Sequence, residues 1–383
     1  MQDTPHDVIV VGAGFAGLAC ARELAARGLG VCVIDRKRDL GERLHTTGIL
    51  VDEVLREPLF AGLPETLRRS VPHVRLYAPG LKSIRIGAAG YRFHTTDTPA
   101  LMRWLGERAA QQGVALRLGC AFRDAVRDGD GWQVAGVGRC RVLVGADGVR
   151  SRVAARLGLG EVRDVLQGVE YEFDGATLRE PDALHCFISK RHAPGYIGWV
   201  AQTPTGVQGG LALRQRPGRT PPPDLPALLE RVAPLVGLPA GRRPDAVRAG
   251  LIPCGGPVAV RARDGAVLVG DAAGMVSPVT AGGIHAGVRH GASVGRALAD
   301  ALARSRPYDE PRHAPVAGMA GKRALRWAFD HLQWDWPFDL LLGSAPLRRC
   351  AEQLCFHRRG DAPPDPGGDD CAGSRSAGRG RLQ

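Results

Sequence analysis

The sequence is poor in lysine, long apolar runs and paired cysteines, and these shortages exclude several classes of protein. No run of eighteen apolar residues occurs in the 383 residues, so we predict no membrane-spanning helix. The first residues, MQDTPHDVIVVGAG, place no basic region ahead of an apolar one, which argues against a secretory signal peptide. The nine cysteines include no C-x-x-C pair, so we expect reduced thiols, a cytoplasmic location and no bound metal.

The net charge of +12 raises the question of an anionic partner. Only four of the 51 basic residues are lysines, at positions 37, 82, 190 and 322, and this skew towards arginine indicates a genome-composition bias. No basic helix, zinc knuckle or aromatic RNA-binding motif accompanies the charge. We therefore predict no nucleic-acid partner, and the charge remains available for an anionic cofactor or membrane surface.

The segment DVIVVGAGFAGLACARELAARGLGVCVIDRK indicates a dinucleotide-binding βαβ unit. A short apolar strand runs directly into Gly12-x-Gly14-x-x-Gly17, which opens a helix. Gly12 permits the tight turn, Gly14 lets the backbone approach a pyrophosphate, and Gly17 lets the helix pack on the sheet. Asp35 closes the next apolar strand, where a carboxylate can accept hydrogen bonds from a ribose.

Two later motifs decide between the possible dinucleotides. They are RVLVGADGVRSRVA, at residues 141–154, and GAVLVGDAAGMVSPVTAGGIHAGVRHG, at residues 265–291. With all three motifs in this order, the chain resembles the FAD-dependent oxidoreductases built like p-hydroxybenzoate hydroxylase. Within that superfamily it is most similar to the geranylgeranyl reductase branch, over roughly residues 5–310.

The resemblance implies roles for the later motifs. Asp271 would bind the ribityl chain of FAD, and the turn after it would pass the flavin ring. The helix that begins near Gly283 would point its N-terminus at the pyrimidine end of the ring, where reduced flavin carries negative charge. Asp147 would help to bind FAD and NAD(P)H, or it simply stabilises a turn. No second complete G-x-G-x-x-G occurs, so NAD(P)H would visit transiently.

The predicted cofactor-binding residues are Gly12, Gly14, Ala16, Gly17, Asp35, Arg36, Asp147, Gly148, Gly270, Asp271, Pro278, Gly282, Gly283 and Ile284.

The chain is predicted to be an α/β protein in which a Rossmann-type FAD-binding domain is interleaved with an antiparallel substrate-binding sheet. The FAD-binding domain would comprise residues 5–70, 96–165 and 250–310, and the substrate domain residues 71–95 and 166–249. A helical cap would cover residues 311–360, and the Pro/Gly-rich residues 361–383 would be a disordered tail.

The substrate side is less well marked. Geranylgeranyl reductases carry a sheet motif with Tyr and Trp, and PGYIGWVAQ retains Tyr196 and Trp199 at a different spacing. In LGERLHTTGIL, His45 falls near the place of a cysteine that the family often has, and we consider it a candidate proton donor. The aromatic pair equally suits an ordinary sheet, and His45 equally suits a solvent-exposed loop.

Three functions are compatible with these motifs. The first is reduction of carbon–carbon double bonds in an isoprenoid or similar apolar substrate, with NAD(P)H or another electron donor. The second is hydroxylation of an aromatic ring by a flavin monooxygenase. The third is a flavoprotein similar to lycopene cyclase, in which FAD has no redox role. The branch resemblance favours the reductase, and the sequence leaves the oligomeric state open.

The segment WAFDHLQWDWPF, residues 327–338, holds three of the six tryptophans and is flanked by arginines. Aromatic residues edged by arginines are typical of a weak peripheral membrane contact. A helical cap that packs its aromatic residues on the core is the alternative.

Overall fold

The computed structural model describes residues 6–306, 308 and 319–356, except residues 217, 219, 240, 281 and 332. The predicted disordered tail and residues 311–318, 332 and 357–360 of the predicted cap lie outside this part of the chain.

The described residues form eighteen strands and eight α-helices. The strands are β1 His6–Val11, β2 Val31–Asp35, β3 Leu50–Val51, β4 Arg68–Val71, β5 His73–Tyr77, β6 Ser83–Gly87, β7 Phe93–Thr96, β8 Ala115–Leu118, β9 Ala125–Asp128, β10 Gly131–Val134, β11 Gly138–Gly145, β12 Val165–Asp174, β13 Ala183–Ile188, β14 Ile197–Gln202, β15 Gly206–Arg214, β16 Ala246–Pro253, β17 Ala262–Arg263 and β18 Ala266–Leu268. The helices are α1 Phe15–Ala25, α2 Thr98–Gln111, α3 Arg152–Leu157, α4 Leu225–Val236, α5 Ile284–Ala303, α6 Met319–His331, α7 Trp336–Leu341 and α8 Ala345–Phe356.

The first sheet is the nucleotide-binding layer. Its main path runs β17-β18-β11-β1-β2-β8, and β1, β2, β8, β11 and β18 pair in parallel. The inward-facing strand residues are apolar because parallel strands are covered on both faces. Helices α1, α2 and α5 cover one face of this sheet. The glycine motif follows β1 directly, and it therefore lies at the carboxyl edge of the sheet.

Helices α1 and α5 pack at backbone distance. A Cβ on Gly291 would overlap the carbonyl oxygen of Ala16, and one on Gly295 would lie 2.7 Å from the carbonyl oxygen of Cys20. The small-residue face of α5 therefore serves packing. This contact fixes the start of α5 relative to the glycine motif.

The second sheet runs β16-β12-β15-β14-β13-β5-β6 and corresponds to the predicted antiparallel substrate-binding sheet. It differs from the prediction in one pairing, because β5 and β13 are parallel whereas the other neighbours are antiparallel. It also gains β16, which reaches Pro253 and so crosses the predicted domain boundary at residue 250. Helix α4 covers one face of this sheet. The division into domains remains a prediction.

The predicted fold class is confirmed, including the C-terminal helical segment. A small sheet, β3-β7-β4, joins the loop at residues 45–49 to the body of the protein. Within the described ranges, no helix has the length and apolar character needed to cross a bilayer.

Candidate FAD and substrate site

The glycine motif forms an open cradle at the N-terminus of α1. Gly12 has φ +108°, and a Cβ there would overlap the carbonyl oxygen of Ala146. Gly14 is the N-cap of α1, no side chain caps it, and no atom lies within 4 Å of the position of a Cβ. The first turn of α1 thus presents its N–H groups to a space that would accept a pyrophosphate. Gly17 packs against the carbonyl oxygen of Gly12, and Ala16 packs against Gly270.

Asp35 links the end of β2 to this cradle. Its Oδ2 accepts a hydrogen bond from the N–H of Ala13 at 2.9 Å, and its Oδ1 accepts one from the N–H of Lys37 at 2.9 Å. Each carboxylate oxygen retains a second lone pair that a ribose hydroxyl can use. The neighbouring Arg36 is exposed.

Asp147 has a clear structural role. Its Oδ1 accepts a hydrogen bond from Ser151 Oγ at 2.6 Å, and its Oδ2 accepts one from the N–H of Arg152 at 2.7 Å. Burial raises the pKa of this carboxyl group, and these hydrogen bonds oppose the shift. The carboxylate stabilises the first turn of α3, and its predicted role towards a cofactor remains a prediction. Gly148, with φ +82°, makes the turn.

Asp271 is the most informative cofactor candidate. It lies in a short 3-10 turn, Gly270–Ala273, beside Gly283 at the start of α5. Burial raises the pKa of its carboxyl group to about 6. Among the described residues, no hydrogen bond to this carboxylate is formed. The side chain is half-buried, and no described donor offsets the partial desolvation of its carboxylate. Hydroxyl groups such as those of a ribityl chain would supply the missing hydrogen bonds.

The turn between Asp271 and α5 leaves the helix N-terminus uncapped. Gly283 is the N-cap, and it provides no side chain to bond the first N–H groups of α5. Gly282 is exposed, and its N–H donates to Thr280 Oγ1 at 3.4 Å. Pro278 shapes the turn, and Ile284 begins the helix. These features suit a negative charge near the helix start.

Of the predicted substrate residues, Trp199 lies on β14, Tyr196 directly precedes that strand, and the candidate proton donor His45 lies in the loop that follows β2. The Tyr196 hydroxyl donates to the carbonyl oxygen of Thr280 at 2.6 Å, so the substrate sheet is joined to the turn before α5. Trp199 is buried in the sheet. His45 is exposed, and its Nδ1 donates to the carbonyl oxygen of Ala249 at 2.7 Å. Since Nδ1 carries the proton, His45 needs a second proton on Nε2 to act as an acid.

The sequence analysis missed a buried polar cluster on the same sheet. Trp199 Nε1 donates to Glu170 Oε2 at 3.0 Å, and Arg248 forms ion pairs with Glu170 at 3.6 Å and with Glu172. Gln208 is fully buried beside Glu172 across the strand pair. The signal was present in VLQGVEYEFD, because Glu170 and Glu172 are two residues apart and share one face of a strand.

Comparisons with known proteins agree with this geometry. A family model described as an FAD binding domain matches residues 5–310. Digeranylgeranylglycerophospholipid reductase 1 of Methanopyrus kandleri is 30% identical over 325 residues, which cover 77% of this chain and 81% of that protein. Digeranylgeranylglycerophospholipid reductase 2 of the same organism is 29% identical over 313 residues, 77% of each chain.

Among solved structures, a geranylgeranyl bacteriochlorophyll reductase-like protein from Thermoplasma acidophilum superposes with a TM-score of 0.78. It is 18% identical, and the superposition covers 91% of this chain and 96% of that one. At this identity the likeness concerns the fold.

The cofactor fits the residues that are present. The open space at Gly14 would accept a pyrophosphate, the carboxylate of Asp35 retains lone pairs for a ribose, and the carboxylate of Asp271 would accept hydrogen bonds from hydroxyl groups. FAD carries all three groups. The chain therefore belongs to the FAD-binding domain family, as an FAD-dependent oxidoreductase of the group that includes the geranylgeranyl-type reductases.

Proposed function

We propose that this protein reduces carbon–carbon double bonds of an isoprenoid lipid or a similar apolar substrate. The observation that carries the proposal is the Tyr196–Thr280 hydrogen bond, which holds one face of the substrate sheet beside the turn that opens α5. The digeranylgeranylglycerophospholipid reductases, to which the chain is similar, support an isoprenoid lipid as substrate. NAD(P)H or another reductant would supply the electrons.

Each part of the site has a task in this reaction. Bound FAD supplies the hydride when it is reduced. The α1 N-terminus binds the pyrophosphate, Asp271 binds the ribityl hydroxyl groups, and the uncapped N-terminus of α5 stabilises negative charge on the ring. Tyr196 and Trp199 would hold the substrate against the opposite side. The sequence suggests His45 as one candidate for the proton donor.

The test separates this reaction from the two alternatives. The FAD-loaded protein is supplied with NAD(P)H and a polyprenyl lipid, while an oxygen electrode and mass spectrometry follow the reaction. We expect a product two mass units heavier for each reduced bond, without oxygen uptake that depends on the lipid. A product heavier by one oxygen atom would indicate a monooxygenase. An isomerised product of unchanged mass would indicate a flavin without a redox role.

A peripheral membrane contact is part of the proposal. The segment α6–α7 presents its polar side chains to the body of the protein. Asp335 accepts a hydrogen bond from the N–H of Lys190 at 2.9 Å, Gln333 accepts one from Gly195 at 2.6 Å, and Asp330 pairs with Arg214 at 3.3 Å.

The apolar side chains of the same segment face solvent. Six of the ten exposed large hydrophobic residues among the described ones lie within 17 residues: Leu325, Trp327, Trp334, Trp336, Leu340 and Leu341. A surface helix of a globular protein normally has the opposite arrangement. The exposed Arg323, Arg348 and Arg349 add positive charge that suits anionic lipid. This polarity supports an outward lipid contact over the aromatic cap packed on the core.

Flotation with anionic liposomes tests the contact. We expect the wild type to float and the double variant Trp334→Ser, Trp336→Ser to remain in the dense fraction. The matched control is Val126→Ser, Val247→Ser, because these valines are 60% and 61% exposed elsewhere on the surface. Equal flotation of both variants would contradict the contact.

All eight described cysteines are free thiols, which supports a cytoplasmic location.

A further inference from the structure

Four strands of the substrate sheet bring one row of residues together. Trp199 on β14 pairs with Gly210 on β15, Gly210 pairs with Glu170 on β12, and Glu170 pairs with Arg248 on β16. Paired residues in a sheet point to the same face. A Cβ on Gly210 would lie 2.5 Å from Trp199 Cζ2, so the absence of a side chain there lets the indole lie across β15 towards Glu170.

This row points away from α4. The neighbouring residues on the same strands, Gly198 and Gly209, contact Leu228 and Leu229 of α4, and side chains alternate along a strand. The opposite face, which carries the row, meets the FAD-binding side of the protein. Arg248 Nη1 donates to the carbonyl oxygen of Thr46 at 3.3 Å.

The row thus lies between two connections to the flavin side. One connects β16 to the loop at residues 45–47, and the other is the Tyr196–Thr280 hydrogen bond, made by the residue directly before β14. Glu170, on β12, belongs to the strand pair between them. Its carboxyl group is therefore on the substrate side of the sheet.

The charges in this cluster do not balance without a proton. Glu170 is 3% exposed and Arg248 8% exposed, and the single guanidinium pairs with two carboxyl groups. Lys37, which follows β2, interacts electrostatically with Arg248. Asp97 and Asp174 interact electrostatically with Glu172. Glu170 and Glu172 together carry one negative charge more than the single guanidinium of Arg248 neutralises, and one bound proton removes that excess. Burial accordingly raises the pKa of Glu170 to about 8 and raises that of Glu172.

Several polar atoms of the cluster have no hydrogen-bond partner in the described part of the chain. They include Glu170 Oε1 and both side-chain amide atoms of Gln208, and all three are buried. A buried polar group without a hydrogen-bond partner costs about 1–3 kcal/mol of folding free energy. A cluster that served stability alone would therefore be expected to provide partners for these atoms. Trp199 holds Oε2 of Glu170, whereas Oε1 has, among the described residues, only the 3.6 Å ion pair with Arg248 Nη1 and no hydrogen bond.

We propose that Glu170 is the catalytic acid that protonates the alkene, with Glu172, Arg248 and Trp199 as the residues that position it and hold its proton. The proposal rests on the reductase function. The O–H bond of the Glu170 carboxyl group breaks, and its proton forms a C–H bond at one alkene carbon. A hydride from the reduced cofactor forms the C–H bond at the other carbon. The alkene gains two electrons, the flavin is oxidised, and the resulting carboxylate recovers a proton from water.

The first test compares Glu170→Gln with the wild type and with Glu107→Gln, a matched control at an exposed glutamate of α2. The amide at position 170 is isosteric and can still accept the Trp199 hydrogen bond, but it supplies no acidic proton. We expect unchanged FAD binding and unchanged reduction by dithionite. Anaerobic flavin reoxidation by a polyprenyl lipid should fall by about 10²–10⁴-fold, the usual contribution of a general acid. Glu107→Gln should stay within about threefold of the wild type. Reoxidation by Glu170→Gln at the wild-type rate would overturn the proposal.

A second readout does not depend on activity. The infrared band of a protonated carboxyl group should be present at pH 7, titrate near pH 8, and be missing in Glu170→Gln. Its absence from the wild type would overturn the proposal.

Glu172→Gln gives an independent test should Glu170→Gln fail to fold. It leaves one carboxylate with one guanidinium, so Glu170 should lose its proton at lower pH. The alkaline limb of the pH profile, and the infrared titration, should both move to lower pH. An unchanged profile would contradict the proton-sharing cluster. If the wild type itself fails to reoxidise with the lipid, the proposed function is overturned, and this proposal with it.

Discussion

Replacing Asp271 by asparagine should move cofactor affinity and apoprotein stability in opposite directions. Burial raises the pKa of this carboxyl group from 3.8 to about 6, so the folded apoprotein disfavours the ionised form. The folded state binds more protons than the unfolded state between these two values, and stability therefore decreases as the pH rises through that interval. At about 1.36 kcal/mol per pK unit, the cost at pH 7 approaches 3 kcal/mol.

Asp271→Asn removes this cost and also removes the charged acceptor for the ribityl hydroxyl groups. We expect the apoprotein to gain up to about 3 kcal/mol at pH 7, with the gain vanishing near pH 4. A hydrogen bond to a charged group contributes about 1.5–3 kcal/mol, so the Kd of FAD should rise by about 10- to 150-fold.

Urea unfolding of the apoprotein at pH 4 and pH 7 measures the first effect, and quenching of flavin fluorescence measures the second. The control is Asp300→Asn, because Asp300 is an exposed residue near the far end of α5. The reasoning is refuted if Asp271→Asn destabilises the apoprotein at pH 7, or if the Kd of FAD changes less than threefold.

Three further predictions concern single contacts. Gly14→Val should leave a folded apoprotein that binds no FAD. Gly17→Val should lose both stability and FAD binding, because its side chain would overlap the backbone of Gly12. Thermal melting and FAD titration distinguish the two variants. Tyr196→Phe removes the 2.6 Å hydrogen bond to Thr280 and should cost about 1 kcal/mol in urea unfolding, and an unchanged midpoint would contradict it. Burial lowers the pKa of His290 to about 4, so the unfolded state gains the proton first as the pH falls. Between pH 6.5 and pH 4 the wild type should therefore lose up to about 3 kcal/mol of unfolding free energy through this group, and His290→Gln should not show that loss. Urea unfolding at both pH values measures the difference.

The local parts of the fold could be predicted from the sequence because they depend on short spacings. The strand, glycine turn and helix of residues 6–25 follow from the spacing of one glycine turn. Thr98 and Pro99 predict the start of α2 with Thr98 as the N-cap, and the structure places the N-cap one residue earlier, at Asp97. The resemblance to the FAD-dependent oxidoreductases, and not spacing alone, indicated Asp271 and the glycines before α5. In the structure, the small residues Gly291 and Gly295 of α5 serve packing on α1.

What the sequence could not show depends on contacts between distant segments. The Glu170 cluster exists only because β12, β14, β15 and β16 meet in one register. The parallel pairing of β5 with β13 depends on how a distant strand enters the sheet. The outward orientation of Trp334 and Trp336 depends on which side chains of the segment find partners on the body, and aromatic composition alone is compatible with either face.

Anaerobic single turnover tests the central claim most directly. The bound FAD is reduced with dithionite, excess reductant is removed, and a polyprenyl lipid is added without oxygen. We predict that the oxidised flavin absorbance returns and that the lipid gains two hydrogen atoms for each flavin reoxidised. Flavin that stays reduced with the lipid, and reoxidises only when oxygen is admitted while the lipid gains an oxygen atom, would contradict the account.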